Sequence, residues 1–432
     1  MLAWNQPDPC LTDAPTPITF HGEETPSCRA LVFTIHDGDQ IPRALLGRDA
    51  DAVLVRPDVL GTYFHERDWG ANLVARCLAE VLDLGGYLRV NLARVLLDFG
   101  RFPTSLDGDA AYLLRSAIYP PLRDVLTDAA RHRLITHHYD EISRALTGRF
   151  LGKILAIDVH TYDPVGRNGI RRPEVSLVTR SMGYQRYGQL PRRLFDPLFP
   201  AALCEDTCHP ALSCGIVADL ARSGRYATLN YPYVMPEGSV EVRALVWFFF
   251  RHVREAFEHS CPETVGQKPY EIVWDMLLDV TQRLARAAAL RGFLHAYLAP
   301  PPGVEQLFAD ARDAYATIAA FVHRHHGVLV NDYRHALNRL GCLGVEVRKD
   351  LLVDLDPAKR RLRLRADAEE TARQIAGEMA RSIRQHLDDA AQAPPLLSRV
   401  GLADARAVSP LAEARQRDAD AAGAAPLRPA AF

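Results

Sequence analysis

The chain has 432 residues, with 51 basic and 53 acidic side chains and a net charge of −2. That balance excludes bulk attraction to nucleic acid or to an anionic membrane surface, and no apolar run approaches the length of a membrane span. With 48% hydrophobic residues, the chain can bury one large core or two modest ones, so a soluble globular protein is expected. The start, Met1-Leu2-Ala3-Trp4-Asn5-Gln6-Pro7-Asp8, has neither the basic residues nor the apolar stretch of a secretory signal, which makes the cytoplasm the expected location.

Residues 1–29 are proline-rich and polar and read as an N-terminal arm lying on the surface. The first strand is expected over residues 30–35 and ends in His36-Asp37-Gly38-Asp39. Helical spacing follows over residues 69–84, preceded by the carboxylates Glu66 and Asp68. A second strand over residues 153–159 ends in Val159-His160-Thr161-Tyr162, and a third covers residues 175–178. Residues 240–258, 269–297 and 304–325 show helical apolar spacing, with Ala299-Pro300-Pro301-Pro302-Gly303 breaking the last two apart. We read residues 240–340 as a helical insertion that would cap a site, form an oligomer contact or simply cover the sheet. A strand is expected over residues 345–353 and a helix over 368–387; residues 391–432 shift to Ala, Pro, Arg and Asp and are expected to be a disordered tail. The whole reads as an α/β chain, a mixed sheet flanked by helices, with residues 30–390 as one domain.

Two strand-end histidines are the chemical signal. His36 with Asp39 in the following turn, and His160 from another strand end, supply a set of three ligands with room for water, the pattern of catalytic zinc. Asp158 lies two residues before His160 and shares its strand face, so it would orient that side of the site or supply a carboxylate to it. The eight cysteines read mostly as buried thiols in a reducing compartment; Cys204, Cys208 and Cys214, with His209, would at most hold a second, structural metal. His137 and His138 are adjacent and are expected at the surface.

Further motifs carry a family resemblance. Arg94-Val95-Leu96-Leu97-Asp98-Phe99-Gly100-Arg101 resembles the Arg-x3-Asp-x2-Arg segment of N-formylglutamate amidohydrolases, with Gly100 where that family has asparagine. His36-Asp37-Gly38 with Pro42 is similar to its His-Ser-Gly-x-x-x-Pro, with Asp37 in place of serine, and Ile157-Asp158-Val159-His160-Thr161 to its Asp-x-His-Ser/Thr strand end. Gly344-Val345-Glu346-Val347-Arg348-Lys349-Asp350-Leu351 resembles its late Glu-x-Arg-x-Asp-Leu strand, and Arg172-Pro173-Glu174-Val175 and Asn230-Tyr231-Pro232-Tyr233 resemble two middle stretches. The resemblance implies a zinc exopeptidase-like fold and a zinc-dependent hydrolase that removes an N-formyl or other short N-acyl group from an acidic amino acid or related small molecule.

In that reading His36, Asp39 and His160 hold Zn2+, which would acidify a water and polarise an amide carbonyl. Glu346 would carry the proton from water to the departing amine. Arg94, Arg101, Arg348 and Asn230 would serve the substrate, the arginines because a planar guanidinium forks onto carboxylates. Arg94 has the alternative of pairing with Asp98 at i,i+4. Glu241, in a second Glu-x-Arg at Glu241-Val242-Arg243, competes with Glu346 but falls in a helical run. The alternatives in function are a non-catalytic binder of a carboxylate ligand and an amidase or peptidase acting on a larger intermediate.

Overall fold

The structure is a computed structural model that describes residues 8–23, 28–103, 116–181, 196–236, 238–295, 298–356, 361–394 and 396. The expected tail lies almost wholly outside these. Eleven strands occur among the described residues: β1 Cys10–Thr12, β2 Ile18–Gly22, β3 Ala30–Thr34, β4 Gln40–Pro42, β5 Gly86–Val90, β6 Leu155–Tyr162, β7 Val175–Val178, β8 Ala227–Leu229, β9 Gly341–Arg348, β10 Val353–Asp356 and β11 Arg361–Leu364. Seven form one sheet in the order β2-β5-β3-β6-β9-β7-β8. The sheet is mixed: β2 runs antiparallel to β5 and β7 antiparallel to β9, and the other neighbours are parallel.

The central strands β3 and β6 are covered on both faces and are apolar apart from Thr34 on β3 and Asp158, His160 and Thr161 on β6. Helices Ala71–Val81, Pro210–Arg222 and Ala368–Gln392 pack with one another and with the sheet, and their apolar stripes join the strands in the larger core. Helix Val240–Ser260 lies against β9. Together with Lys268–Leu278, Ala285–His295 and Glu305–Arg324 it builds a second core around Phe249, Phe257, Trp274 and Phe321. Residues 240–340 are thus mostly helical up to the π-turn at Gly327–Asp332, and Phe102, Phe199, Leu203 and Met235 from outside this stretch complete the second core.

Three expectations are corrected. Residues 10–22 are not only a surface arm, since β2 forms the edge strand of the main sheet and β1 pairs with β4. The long helix expected over 269–297 is two helices, because the Asp279 carboxylate accepts from the backbone N–H groups of Arg283 and Leu284 at 3.0 and 3.1 Å and caps a new start. The strand expected over 345–353 runs instead over Gly341–Arg348 and ends in a 3-10 turn at Lys349–Leu351. Gly341 lets β9 approach Cys208, whose Cα would lie 3.3 Å from a Cβ at that position.

Sheet order places the site. From β3 the next strand of the sheet, β5, lies to one side, and β6 lies on the other. In parallel α/β sheets such a reversal opens a crevice at the carboxyl ends of the strands. His36 follows the end of β3, and His160 sits near the end of β6.

Candidate metal centre

His36 and His160 come together with their ring centroids 5.0 Å apart. The third member of the cluster is Asp68, and ligand atoms of His36, Asp68 and His160 all lie within 4.8 Å of one another. Asp68 arrives through local chemistry. It sits between helices Pro57–Glu66 and Ala71–Val81, and its backbone N–H donates to the His36 carbonyl at 3.1 Å. Its neighbour Trp69 is buried, and the Trp69 carbonyl accepts from Thr161 Oγ1 on β6 at 3.0 Å. The loop is thus tied to both histidine-bearing strands. Gly38 allows the turn after His36 to pass the chain at Leu92, whose carbonyl oxygen would lie 2.2 Å from a Cβ there.

The orientation of the two imidazoles is the informative detail. Nδ1 of His160 lies 2.8 Å and Nδ1 of His36 3.5 Å from the same oxygen, Asp68 Oδ2. Each opposite nitrogen faces a buried carboxylate: His36 Nε2 is 2.9 Å from Asp98 Oδ1, and His160 Nε2 is 3.1 Å from Asp158 Oδ2. The first contact is a hydrogen bond. The second is an ion-pair contact off the hydrogen-bonding line, which leaves both Asp158 oxygens, 0% exposed, without a hydrogen-bond partner. The Asp98 bond favours the Nε2–H tautomer of His36, whose Nδ1 then faces Asp68, and Asp158 places negative charge behind His160.

Charge in the pocket favours a cation. Burial pushes Asp68 towards neutrality, but the bonds from His160 and His36 hold it well below the usual carboxylate range. Asp98 is likewise pushed up by burial and held well below by Arg94, His36 and Arg101. Burial works to discharge His160, yet Asp158, Asp68 and Glu346 hold it well above its ordinary value. The acidic surroundings thus favour positive charge at that point, and a divalent cation would meet the same demand. Two imidazoles and a carboxylate suit Zn2+ among the common ions. The donor set of His36, Asp68 and His160 therefore fits a zinc ion.

The cluster forms the floor of a cleft of about 1480 Å³, lined also by Glu66, Arg94, Arg101, Glu241 and Glu346. Glu346 stands on β9 directly across from His160 in register. Burial raises its carboxyl, and its charged neighbours are His160, Asp68, Arg94 and His36. Glu241 is in the first turn of helix Val240–Ser260, 4% exposed, and is pushed up to about 7 by burial and then by Asp158. Glu346 thus belongs to the open side of the cluster and Glu241 to the side of Asp158.

No protein-family model and no curated protein matches the chain. Among solved structures, it is similar to an N-formylglutamate amidohydrolase from Ralstonia eutropha JMP134, at 14% identity and a TM-score of 0.45, over 86% of this chain and 99% of that one. It is also similar to the gene product Atu2144 from Agrobacterium tumefaciens, at 14% identity and a TM-score of 0.41, over 88% of this chain and 97% of that one. At these TM-scores neither likeness decides this chain's chemistry, which rests on the geometry of the site.

The other residues singled out in the sequence divide clearly. Asp39 is not in the cluster: its carboxylate lies 3.8 Å from Arg67 and 3.7 Å from Arg89, drawn away by two guanidinium groups. Asp68, in reserve on sequence grounds, takes its place. Arg94 contacts both Asp98 and Asp68 at 3.4 Å, and Arg101 pairs with Asp98 at 2.9 Å; both line the cleft. Asp98 therefore joins the arginine segment to His36.

Arg348 does not line the cleft. It is 4% exposed, bonds Asp350 at 2.6 Å, and donates to the Arg172 carbonyl at 3.1 Å. Asn230 is also structural: in the left-handed region at φ 55°, its side chain accepts from the backbone N–H groups of Thr179 and Arg180. All eight cysteines are free thiols, Cys204 and Cys208 being buried in different cores, and among the described residues they join no metal-binding group. His209 caps helix Pro210–Arg222. Asp37, the departure from serine, is buried against Arg67 at 2.9 Å and accepts from the Asn72 N–H at 3.0 Å, so it anchors a helix start.

Proposed function

We propose that this chain is a zinc-dependent hydrolase of linear amides, removing an N-formyl or other short N-acyl group from an amino acid or related small molecule. The observation that carries the proposal is the pair of imidazoles turned on one Asp68 oxygen with a buried carboxylate behind each ring. His36, Asp68 and His160 would hold the ion. When bound, zinc would supply Lewis acidity towards a carbonyl and a water of lowered pKa.

The residues of the chain supply the rest. Glu346, its carboxyl raised by burial and set across from His160, would take a proton from the attacking water and deliver one to the amide nitrogen as the C–N bond breaks. Hydroxide ends on the acyl carbon and the proton on the amine, so the products are a carboxylic acid and a free amine. Arg94 and Arg101, on the cleft wall, are placed to steady negative charge developing on the acyl oxygen. Asp98 and Asp158 hold the rings and do not react.

The test is metal analysis of purified protein together with a screen of N-formyl and N-acetyl amino acids. One zinc per chain and metal-dependent release of the free amine are expected. Stoichiometric zinc with no hydrolysis of any N-acyl compound would turn the reading to a carboxylate-binding protein.

A further inference from the structure

Among the described cations that line the cleft and are at least partly buried, Arg172 alone has no carboxylate partner. Arg94 and Arg101 are paired with Asp98, and Lys349 with Asp163 at 3.2 Å. Arg172 instead lies over two aromatic rings, 5.4 Å from that of Tyr162 and 5.1 Å from that of Tyr233, which meet edge to face. One of its Nη groups donates to the Asp163 carbonyl at 3.3 Å, and its Nε is buried with no hydrogen-bond partner. The backbone beneath is latched twice, by Arg348 on the Arg172 carbonyl and by the Tyr162 hydroxyl, which donates to the Pro173 carbonyl at 2.8 Å. A guanidinium stacked, held in place and short of an anion is a preorganised carboxylate site.

The surroundings are apolar. Val165, Ile170, Tyr231 and Tyr233 are 50%, 53%, 38% and 42% exposed, and all four line this part of the cleft. Four large apolar side chains left in solvent beside one cation mark a surface that takes an apolar group. Tyr162 follows His160 by two residues on β6, so the ring beneath Arg172 and the histidine of the cluster share one face of the strand. The cleft, about 1480 Å³, exceeds the 300–1,000 Å³ usual for small ligands.

Resting on the amidase reading, we infer that the amine half of the substrate is an apolar or aromatic amino acid whose free α-carboxylate is held by Arg172 and whose side chain packs on Tyr231, Tyr233, Val165 and Ile170. The shared chemistry is an acylated apolar residue ending in a carboxylate, either a single N-acyl amino acid or the last residue of a longer peptide. Arg348 is a positioning residue for this site.

The experiment uses the zinc-loaded full chain. Hydrolysis and calorimetric binding are measured with N-formyl-phenylalanine, its C-terminal amide, N-formyl-glutamate and benzoyl-glycyl-phenylalanine. The wild type should prefer phenylalanine to glutamate, and capping the carboxylate as the amide should cost about tenfold to a hundredfold. Arg172→Gln should lose the same factor on the acid and almost nothing on the amide, with Arg172→Lys intermediate; Tyr233→Ala, which keeps the arginine, should reduce the preference for phenylalanine. The peptide arm separates the sources: comparable use of the peptide supports the longer substrate, and its rejection the single amino acid.

Unfolding midpoints equal to wild type show that each variant is folded. Carboxylate-dependent binding that Arg172→Gln abolishes, without hydrolysis of anything, would keep this subsite and remove the amidase reading. Hydrolysis indifferent to the carboxylate, or equal losses on acid and amide in Arg172→Gln, would overturn the subsite and spare the amidase. No binding and no turnover by the wild type would overturn both.

Discussion

At the residue scale the decisive question is which carboxylate joins the two histidines. Asp68 touches both rings, and Asp39 faces Arg67 and Arg89. His36→Ala, His160→Ala and Asp68→Ala should each lose most bound zinc while remaining folded, and Asp39→Asn should keep a full equivalent; metal per chain after gel filtration checks this, and zinc lost from the Asp39 variant alone would restore the turn carboxylate. The two buried glutamates separate by their neighbours. If Glu346 is the proton carrier proposed above, Glu346→Gln should lower turnover by about a hundredfold or more with zinc retained. Glu241→Gln, beside Asp158, should cost less than about tenfold. The reverse ranking in steady-state assays would move the proton transfer to the helix start.

At the scale of elements, the loop carrying Asp68 depends on how helix Ala71–Val81 begins. Asp37 accepts from the Asn72 N–H in its first turn and pairs with Arg67, whose guanidinium also stacks 4.1 Å above the Trp69 ring. Removing one partner would strand the other as a buried charge. Asp37→Asn should therefore cost about 3–5 kcal/mol in urea unfolding, and Asp37→Leu with Arg67→Leu together should cost less than the sum of the two single changes. Additive losses would mean that the pair does not act as a unit. Asp37 thus holds a helix start and stays out of the metal cluster.

At the scale of the whole molecule, burial of charge links the site to folding stability. Glu241 holds its proton in the folded chain up to about pH 7, pushed there by burial and then by Asp158, whereas an unfolded glutamate releases it near 4.5. The stabilisation from this group is complete below the unfolded value and is lost as pH rises through about 7. In metal-free protein, Glu241→Gln should gain on the order of 2 kcal/mol relative to wild type between pH 5 and pH 8, measured by urea unfolding at both. An equal difference at the two values would mean that Glu241 is charged throughout.

What the sequence determined by itself was whatever local pattern controls. Apolar β-branched runs ending in His36 and His160 placed two strands and two imidazoles, because strand alternation acts within a few residues, whereas the arginine segment through Asp98 was legible only through its resemblance to a known motif. The helical run after Ser239 was legible from local spacing, as the strands were. Tertiary structure alone chose the rest. Asp68 joins His160 across 92 residues through backbone bonds to His36 and β6, and no periodicity encodes such a contact. Asp39 left the cluster because Arg67 and Arg89, distant in sequence, attract it more strongly. Arg348 and Asn230 sit in suggestive motifs, yet the end of β9 and a left-handed turn direct them to backbone carbonyls and N–H groups. Arg172 carried no signal beyond its neighbours; its role appears only where Tyr162, Tyr233 and the cleft meet, because a charge becomes a binding site when folding buries it without a partner.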